Sequence, residues 1–358
     1  MRHWDWYLGL LLVISISVTT GCGGGSTANP KAKSGETTAK DKEEVSDLSG
    51  EVTIDGSSTV QPLSTAAAEG FLKIHPQVKV PVATSGTGGG FKKFVKGELD
   101  ISNASRPITT EEVAQCKTHG VEFVEVPVAY DGLTIVVNPA NDWCNELTVD
   151  QIKKIYLETG AAKTWKEVNP EWPDEPLKIF SPGTDSGTFD YFREVIGGKK
   201  VNIRPDLQTS EDDNVLVQGV EGEKGAIGYF GAAYYAGAGG KLKAVKIINP
   251  KTNKAVEATE ANVISGDYYP YSRPLFIYVN LKSIDRPEVR MYVEHYLENA
   301  PAYAKKVGYF PLPEAVYTLV KTHVDESQPG TCFVTADGKA REGSFLDVFK
   351  TENLTSTK

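Results

Sequence analysis

From residue 51 onward, apolar positions switch between a period of two and a period of three to four, which predicts alternating strands and helices. EVTIDG reads as a strand, and Leu63, Ala67, Phe71, Leu72 and Ile74 mark a helix between Val60 and Ile74. VKVPVAT is the next strand. GTGGG then opens a helix with Phe91, Phe94 and Val95 on one face, and LDISNAS returns as a strand. Thr109 with Glu112, and Thr148 with Gln151, have the spacing of capping boxes that start two further helices. LKIFSPG, GAIGYF and AVKII read as strands, TFDYFREVI as a helix, and Val289, Tyr292, Val293 and Tyr296 as the buried stripe of another helix.

Two segments are apolar for longer than an ordinary strand needs, VEFVEVPVAYDGLTIVVN and PLFIYVN. Strands that cross between lobes near Pro127–Leu133 and Arg273–Ile277 would account for both. They divide the chain into a lobe of residues 51–130 plus 273–358 and an inserted lobe of residues 131–272. The expected fold class is α/β without internal repeats, a two-lobe clamp that takes ligand in the cleft and closes by a hinge. Residues 325–358 are polar, and either pack on the first lobe or trail away.

The first 50 residues stand outside this pattern. Arg2 and His3 precede the apolar run Tyr7–Val18, a secretory h-region too short to span a bilayer. The run ends in TTGC, which has the form of a lipoprotein cleavage box and predicts a signal peptide over residues 1–21 with Cys22 lipidated. Thr19 departs from the leucine such a box prefers, and an ordinary cleaved signal with an incidental cysteine is the competing reading. Residues 23–50 carry almost no large apolar side chains, so with Cys22 they form a flexible tether over 22–50.

At 358 residues, with 40% apolar and 24% charged positions, the chain is an ordinary globular composition of two-domain length. A net charge of −9 argues against nucleic acid and anionic membrane surfaces, but leaves small anions open. Cys116, Cys144 and Cys332 allow at most one disulfide. No Cys/His spacing predicts a metal, and no cofactor is expected.

Candidate chemistry lies in four turns at strand ends: GSST (56–59), SGTGGG (85–90), SNASRP (102–107) and GTDSGT (183–188). Three run directly into helices, whose first turns expose unpaired N–H groups and favour negative charge. Glycine permits close approach of the backbone, and Ser and Thr add hydroxyl donors. Singly, each turn is also an ordinary cap or loop. Converging on one cleft, they would form an oxyanion cage. SGTGGGFKK matches neither nucleotide-binding glycine loop, because Phe91 stands where the dinucleotide pattern needs glycine and the GK[ST] ending is absent.

GSSTVQPL, GTGGGFKKF, LDISNASRPI, PVAYDGLTIVVN, GTDSGTFDYF and GAIGYFG, in this order and spacing, resemble the periplasmic phosphate-binding proteins. These are the substrate-binding lipoproteins of the high-affinity phosphate ABC importer, and the likeness runs over about residues 51–320. It implies a type II periplasmic-binding fold, one phosphate held between the lobes, an ABC permease as partner, and a monomer exported and held at a membrane by its anchor. Carried over by residue, it implies ligand contacts from Ser58, Thr59 and Val60, from Thr87 and Gly88, and from Ser186, Gly187 and Thr188.

Two positions depart from the best-known branch of that family. Ser105 stands where the branch has an aspartate that accepts the phosphate proton, and Pro182 where it has an arginine. Ser105-Arg106 would restore the cation from the opposite lobe, the competing reading being a surface salt bridge. The proton acceptor would be Asp185 first, then Asp131, a hydroxyl or a carbonyl. Asp185 equally suits a loop brace, and Asp131 a structural role. Catalysis is not expected: GTDSG is not a nucleophile elbow, and a serine at a helix start without a base donates well and attacks poorly.

Overall fold

The structure, a computed structural model, describes residues 48–184, 186–198, 201–210, 212–237 and 240–356. The signal peptide, Cys22 and most of the tether lie outside the described residues. No helix among the described residues is long and apolar enough to cross a membrane.

One eight-stranded sheet runs through the molecule. Its strands are β1 (Ile54–Gly56), β2 (Ile101–Ala104), β3 (Phe123–Val137), β4 (Lys178–Pro182), β5 (Gln208–Ser210), β6 (Ala226–Gly231), β7 (Lys243–Ala244) and β8 (Ser272–Asn280). The order is β1-β2-β8-β3-β6-β4-β5, with β7 added to β3. The two over-long apolar segments are β3 and β8, and they pair antiparallel from Asn280 opposite Phe123 to Ser272 opposite Gly132. Beyond that ladder β3 runs on past β8 and pairs through Leu133–Val137 with β6, and at Val136–Val137 with β7. Its fifteen residues are all buried, which is why the segment is apolar without alternation. Register slips between Leu275 and Phe276, beside Pro127 and Pro274. Proline cannot donate to a ladder, so a bulge is where such a strand tolerates it, and the pair bends there.

Helices pack on the sheet where the apolar stripes predict. They include α1 (Gln61–Leu72), α2 (Thr87–Phe94), α3 (Thr110–His119), α4 (Val149–Tyr156), α5 (Gly187–Gly197), α6 (Pro287–Lys306) and α7 (Phe345–Val348). Both capping boxes form, Thr109 with Glu112 on α3 and Thr148 with Gln151 on α4. On α6, Val289, Tyr292, Val293 and Tyr296 are buried, and Tyr292 meets Phe71 of α1 edge-on at 5.6 Å. VKVPVAT is a strand only at Val78–Lys79, because Pro81 interrupts the ladder.

Packing requires glycine at the end of the run GTGGG. A Cβ on Gly90 would lie 2.7 Å from the Gly56 Cα and 2.8 Å from the Ser102 Oγ, so α2 sits directly on β1 and β2. Gly90→Ala is therefore expected to destabilise the fold by about 1–3 kcal/mol, the range for overpacking. A thermal unfolding midpoint equal to that of the parent would contradict this packing.

Residues 325–356 do not trail away. Gly330 bridges to Val124, Thr331 bridges to Thr355, and Phe345 of α7 meets Tyr130 edge-on at 5.4 Å. Phe345 and Phe349 stack at 5.3 Å, so the segment lays an aromatic cluster on β3 and β8. Cys116, Cys144 and Cys332 are free and buried, and burial pushes each thiol up to about 12.

Candidate anion-binding site

The first and second glycine-and-hydroxyl turns are tied together from below. The buried Asp55 carboxylate accepts from the Gly56 amide at 2.7 Å, from the Ser85 amide at 2.8 Å, and from Lys93. Burial raises the Asp55 carboxyl, but these donors outweigh it and hold it below the usual carboxylate range. The third turn joins through Ser105, whose hydroxyl lies 3.0 Å from the Thr87 Oγ1 and whose amide donates to that oxygen at 3.2 Å.

The helix starts at these turns differ in their caps. Gly86, the N-cap of α2, has φ +76°, a backbone state suited to glycine, and no side chain satisfies the first amides of α2. Ser186 caps α5 with its own hydroxyl, which accepts from the Thr188 amide at 3.2 Å. Thus α2 presents free donors and dipole to the space beside it, while α5 spends part of its N-terminal capacity locally.

These elements surround a cavity of about 450 Å³. Its wall on one side is Ser57, Ser58, Thr59, Thr84, Ser85, Gly86, Thr87 and Ser105. Facing them are Asp190, Tyr191, Arg193 and Glu194 of α5, and between them stands Arg273 of β8. Of the expected ligand residues, Ser58, Thr59, Thr87 and Ser105 come together on this wall. Val60 has its side chain buried in the core and its amide turned to the Ser57 carbonyl at 3.2 Å. Gly88, Ser186, Gly187 and Thr188 are not among the lining residues, and Asp185 lies outside the described residues.

The two walls touch. Ser58 Oγ donates to Asp190 Oδ2 at 3.3 Å and Thr59 Oγ1 to the Gly187 carbonyl at 3.5 Å. A Cβ on Gly187 would stand 3.1 Å from the Thr59 Cα. The glycine of Ser-Gly-Thr therefore lets the start of α5 approach the opposite turn.

Arg106, expected to supply the cation, makes in this structure the salt bridge of the competing reading. Its guanidinium makes a two-bond pair with Glu112 at 2.8 and 2.9 Å and lies over the Phe91 ring at 5.3 Å. Glu112 is the capping-box residue of α3, so the pair is part of that helix start. Arg106→Ala is expected to lower stability by roughly 1 kcal/mol, and to leave anion affinity within about three-fold of the parent. Loss of anion binding in that variant would restore Arg106 to the site.

Two cations stand in the cavity wall, Arg193 and Arg273, and the more deeply set Arg273 was missed in the sequence. Its side chain is 12% exposed against 37% for Arg106. Nη2 donates to Thr59 Oγ1 at 2.7 Å, Nε and Nη2 reach Asp131 Oδ2 at 3.3 and 3.2 Å, and the guanidinium lies 3.4 Å from the centre of the Tyr191 ring. Glu194 stands 3.8 Å from Nη1. Register explains the pairing: Arg273 of β8 is directly opposite Asp131 of β3. Burial pushes the Asp131 carboxyl up, and the guanidinium pulls it back. The available signal was a charged residue of opposite sign in each of the two long crossing strands, Asp131 within β3 and Arg273 near the start of β8.

The cavity thus has hydroxyls, free helix amides, the guanidinium groups of Arg193 and Arg273, and the carboxylates of Asp190 and Glu194. No cluster of His, Cys, Asp and Glu able to hold a metal occurs among the described residues.

A PBP superfamily domain model matches residues 32–296. The chain is 46% identical over 306 residues to protein SphX of Synechococcus elongatus, covering 85% of this chain and 89% of that one. It is 41% identical over 314 residues to the phosphate-binding protein PstS of Staphylococcus haemolyticus, covering 87% and 94%. The crystal structure of a possible phosphate-binding protein from Planctomyces limnophilus superposes with a TM-score of 0.76 at 47% identity, over 78% of this chain and 99% of that one. Matched along most of its length by that model and by these relatives, the chain belongs to the PBP superfamily, with the two-lobe fold of the phosphate-binding proteins.

Proposed function

We propose that this chain captures inorganic phosphate between its lobes and delivers it to an ABC-type permease for import, without catalysing a reaction on it. The observation that carries the reading is the uncapped start of α2 beside Thr87 and Ser105, facing the anchored guanidinium of Arg273. Such an arrangement offers a small oxyanion neutral and charged donors from several directions. The relative named PstS, a phosphate-binding protein, supports the choice of anion.

In this reading Ser58, Thr59, Thr87, Ser105 and the α2 amides, Gly88 included, bind phosphate oxygens, with Ser186, Gly187 and Thr188 closing over them. Arg273 takes the charge role that the sequence assigned to Arg106. Residues 51–130 with 273–358 form one lobe and 131–272 the other, hinged at the β3–β8 bulge. Cys22 carries the lipid and residues 22–50 tether a monomer on the outer face of a membrane. Ser186 serves as a helix cap, its hydroxyl occupied by the Thr188 amide rather than freed for attack.

Asp190 is the candidate acceptor for the phosphate proton, because its Oδ2 lies in the cavity wall within reach of Ser58. Phosphate near neutral pH has a proton to give it and sulfate has none, so a carboxylate there disfavours sulfate. Calorimetric titration of the mature chain with phosphate and sulfate tests both statements. The expected result is one phosphate per chain and weak or absent sulfate binding, with Asp190→Asn narrowing that difference. No heat with phosphate overturns the function, and equal binding of sulfate turns it to a general tetrahedral-oxyanion receptor.

A further inference from the structure

A carboxylate far from the chemistry of the cleft is joined to it by a short chain of hydrogen bonds. Glu125 of β3 is 2% exposed and is paired with no cation. Its Oε2 accepts from the Tyr278 hydroxyl at 2.9 Å and from Thr331 Oγ1 at 2.6 Å, and its Oε1 accepts from the Cys332 amide at 3.0 Å. Tyr278 in turn accepts from the Ile108 amide at 2.8 Å. Ile108 closes the turn that begins at Ser105, and the Ser105 hydroxyl and amide both bond Thr87 in the anion cavity. Loop, crossing strands and C-terminal segment are thereby held in one line.

We infer that Glu125 is a positioning residue for anion capture, fixing the Ser105 turn through Tyr278 and making its placement depend on the ionisation of Glu125. The inference rests on the phosphate reading of the cavity. As a carboxylate, Glu125 accepts all three donors it faces. Once protonated it must itself donate, to Thr331 Oγ1 or to the Tyr278 oxygen, and one buried hydroxyl then loses its acceptor. The line to Ile108 slackens on the acid side.

The groups facing Glu125 from each packed element are few. They are Tyr278 from β8 and Thr331 with Cys332 from the C-terminal segment, with Arg106 acting at one remove on Tyr278. Burial pushes the Glu125 carboxyl from its ordinary 4.5 up to about 7, against the lowering effect of these donors. Burial favours the protonated form, so the group's contribution to stability is full below about pH 4.5 and is lost as pH rises through about 7. Placement of the turn runs the other way, because it depends on the ionised form.

The test is calorimetric titration of the mature chain with inorganic phosphate from pH 5.5 to 8.5, on the parent, Glu125→Gln and Tyr278→Phe, with thermal unfolding as the folding control. Tyr278→Phe is expected to weaken phosphate about 3- to 10-fold. Glu125→Gln should flatten the part of the affinity slope near pH 7 that exceeds the titration of phosphate itself. Hydrogen exchange at the Ile108 amide of the parent should show protection falling from pH 8 to pH 6 after correction for the intrinsic rate. That readout holds even where a variant fails to fold. Parent-like affinities and slopes in the folded variants, or pH-independent Ile108 protection, overturn the inference. Failure of the parent to bind phosphate is a different result, and overturns the reading of the cavity instead.

Discussion

Arg273→Ala is expected to lose phosphate binding by at least about 10²–10³-fold, the cost of truncating one partner of a buried, hydrogen-bonded charge pair. The guanidinium is the one cation of the cavity wall anchored from below, by Asp131, and it also bonds Thr59 of the opposite turn. Arg193, also in the wall, is held by Asp190 at 2.8 Å on the same helix. Removal of Arg273 also strands the Asp131 carboxylate, 4% exposed, at a cost to folding of roughly 3–5 kcal/mol. Loss of fold and loss of ligand must therefore be separated. The double variant Arg273→Met with Asp131→Asn removes both charges and should recover most of the unfolding midpoint while still failing to bind. Arg273→Lys should also bind poorly, because an ammonium cannot stack on Tyr191 and reach Asp131 and Thr59 together. Parent-like phosphate affinity in a folded Arg273→Met, Asp131→Asn protein would remove Arg273 from the account.

Gly187→Val is expected to be the second most damaging change, and by a different route. The glycine meets Thr59 backbone atoms at 3.1 and 3.2 Å and the Ser58 carbonyl at 3.3 Å from its hypothetical Cβ. Neither neighbour is a flexible side chain that could move aside. A branched side chain must hold the start of α5 away from the first turn, and overpacking of this kind costs roughly 1–3 kcal/mol. Here the cost falls on the closed arrangement alone, so affinity should drop about 5- to 150-fold with the unfolding midpoint of the ligand-free protein little changed. Calorimetry and thermal unfolding on the same sample decide it. Weakened stability with unchanged affinity would mean that Gly187 is a folding residue and that the two walls do not need to meet.

Much of the frame was legible because it is written in local patterns. The capping pairs Thr109–Glu112 and Thr148–Gln151 act over three residues, and the stripe Val289–Tyr296 acts over two turns, so both are visible without a partner. The length of the apolar stretch ending in VVN read as one long strand, and Phe123–Val137 is a single strand buried throughout. The hydroxyl turns were visible for the same reason, and Ser58, Thr59, Thr87 and Ser105 do share one wall.

What escaped depended on register. Arg273 and Asp131 are 142 residues apart and meet only because β8 aligns them as direct partners. The partner of Arg106 was not named because Glu112 was read only as a cap, although its two oxygens also serve the guanidinium. The C-terminal segment looked polar and placeless because its helix α7 has only four residues and its aromatic residues are sparse. Phe333 and Phe345 meet Phe276 of β8, and Phe345 stacks on Phe349 four residues on.

The measurement that bears most directly on the central claim is a crystal structure of the mature chain grown with inorganic phosphate. The expected result is one tetrahedral anion within hydrogen-bonding distance of the Arg273 guanidinium, the Thr59 and Thr87 hydroxyls and the first amides of α2, with Arg106 still paired to Glu112. An anion held by Arg106, or bound anywhere outside the cavity between the 56–59 turn and α5, would contradict the account.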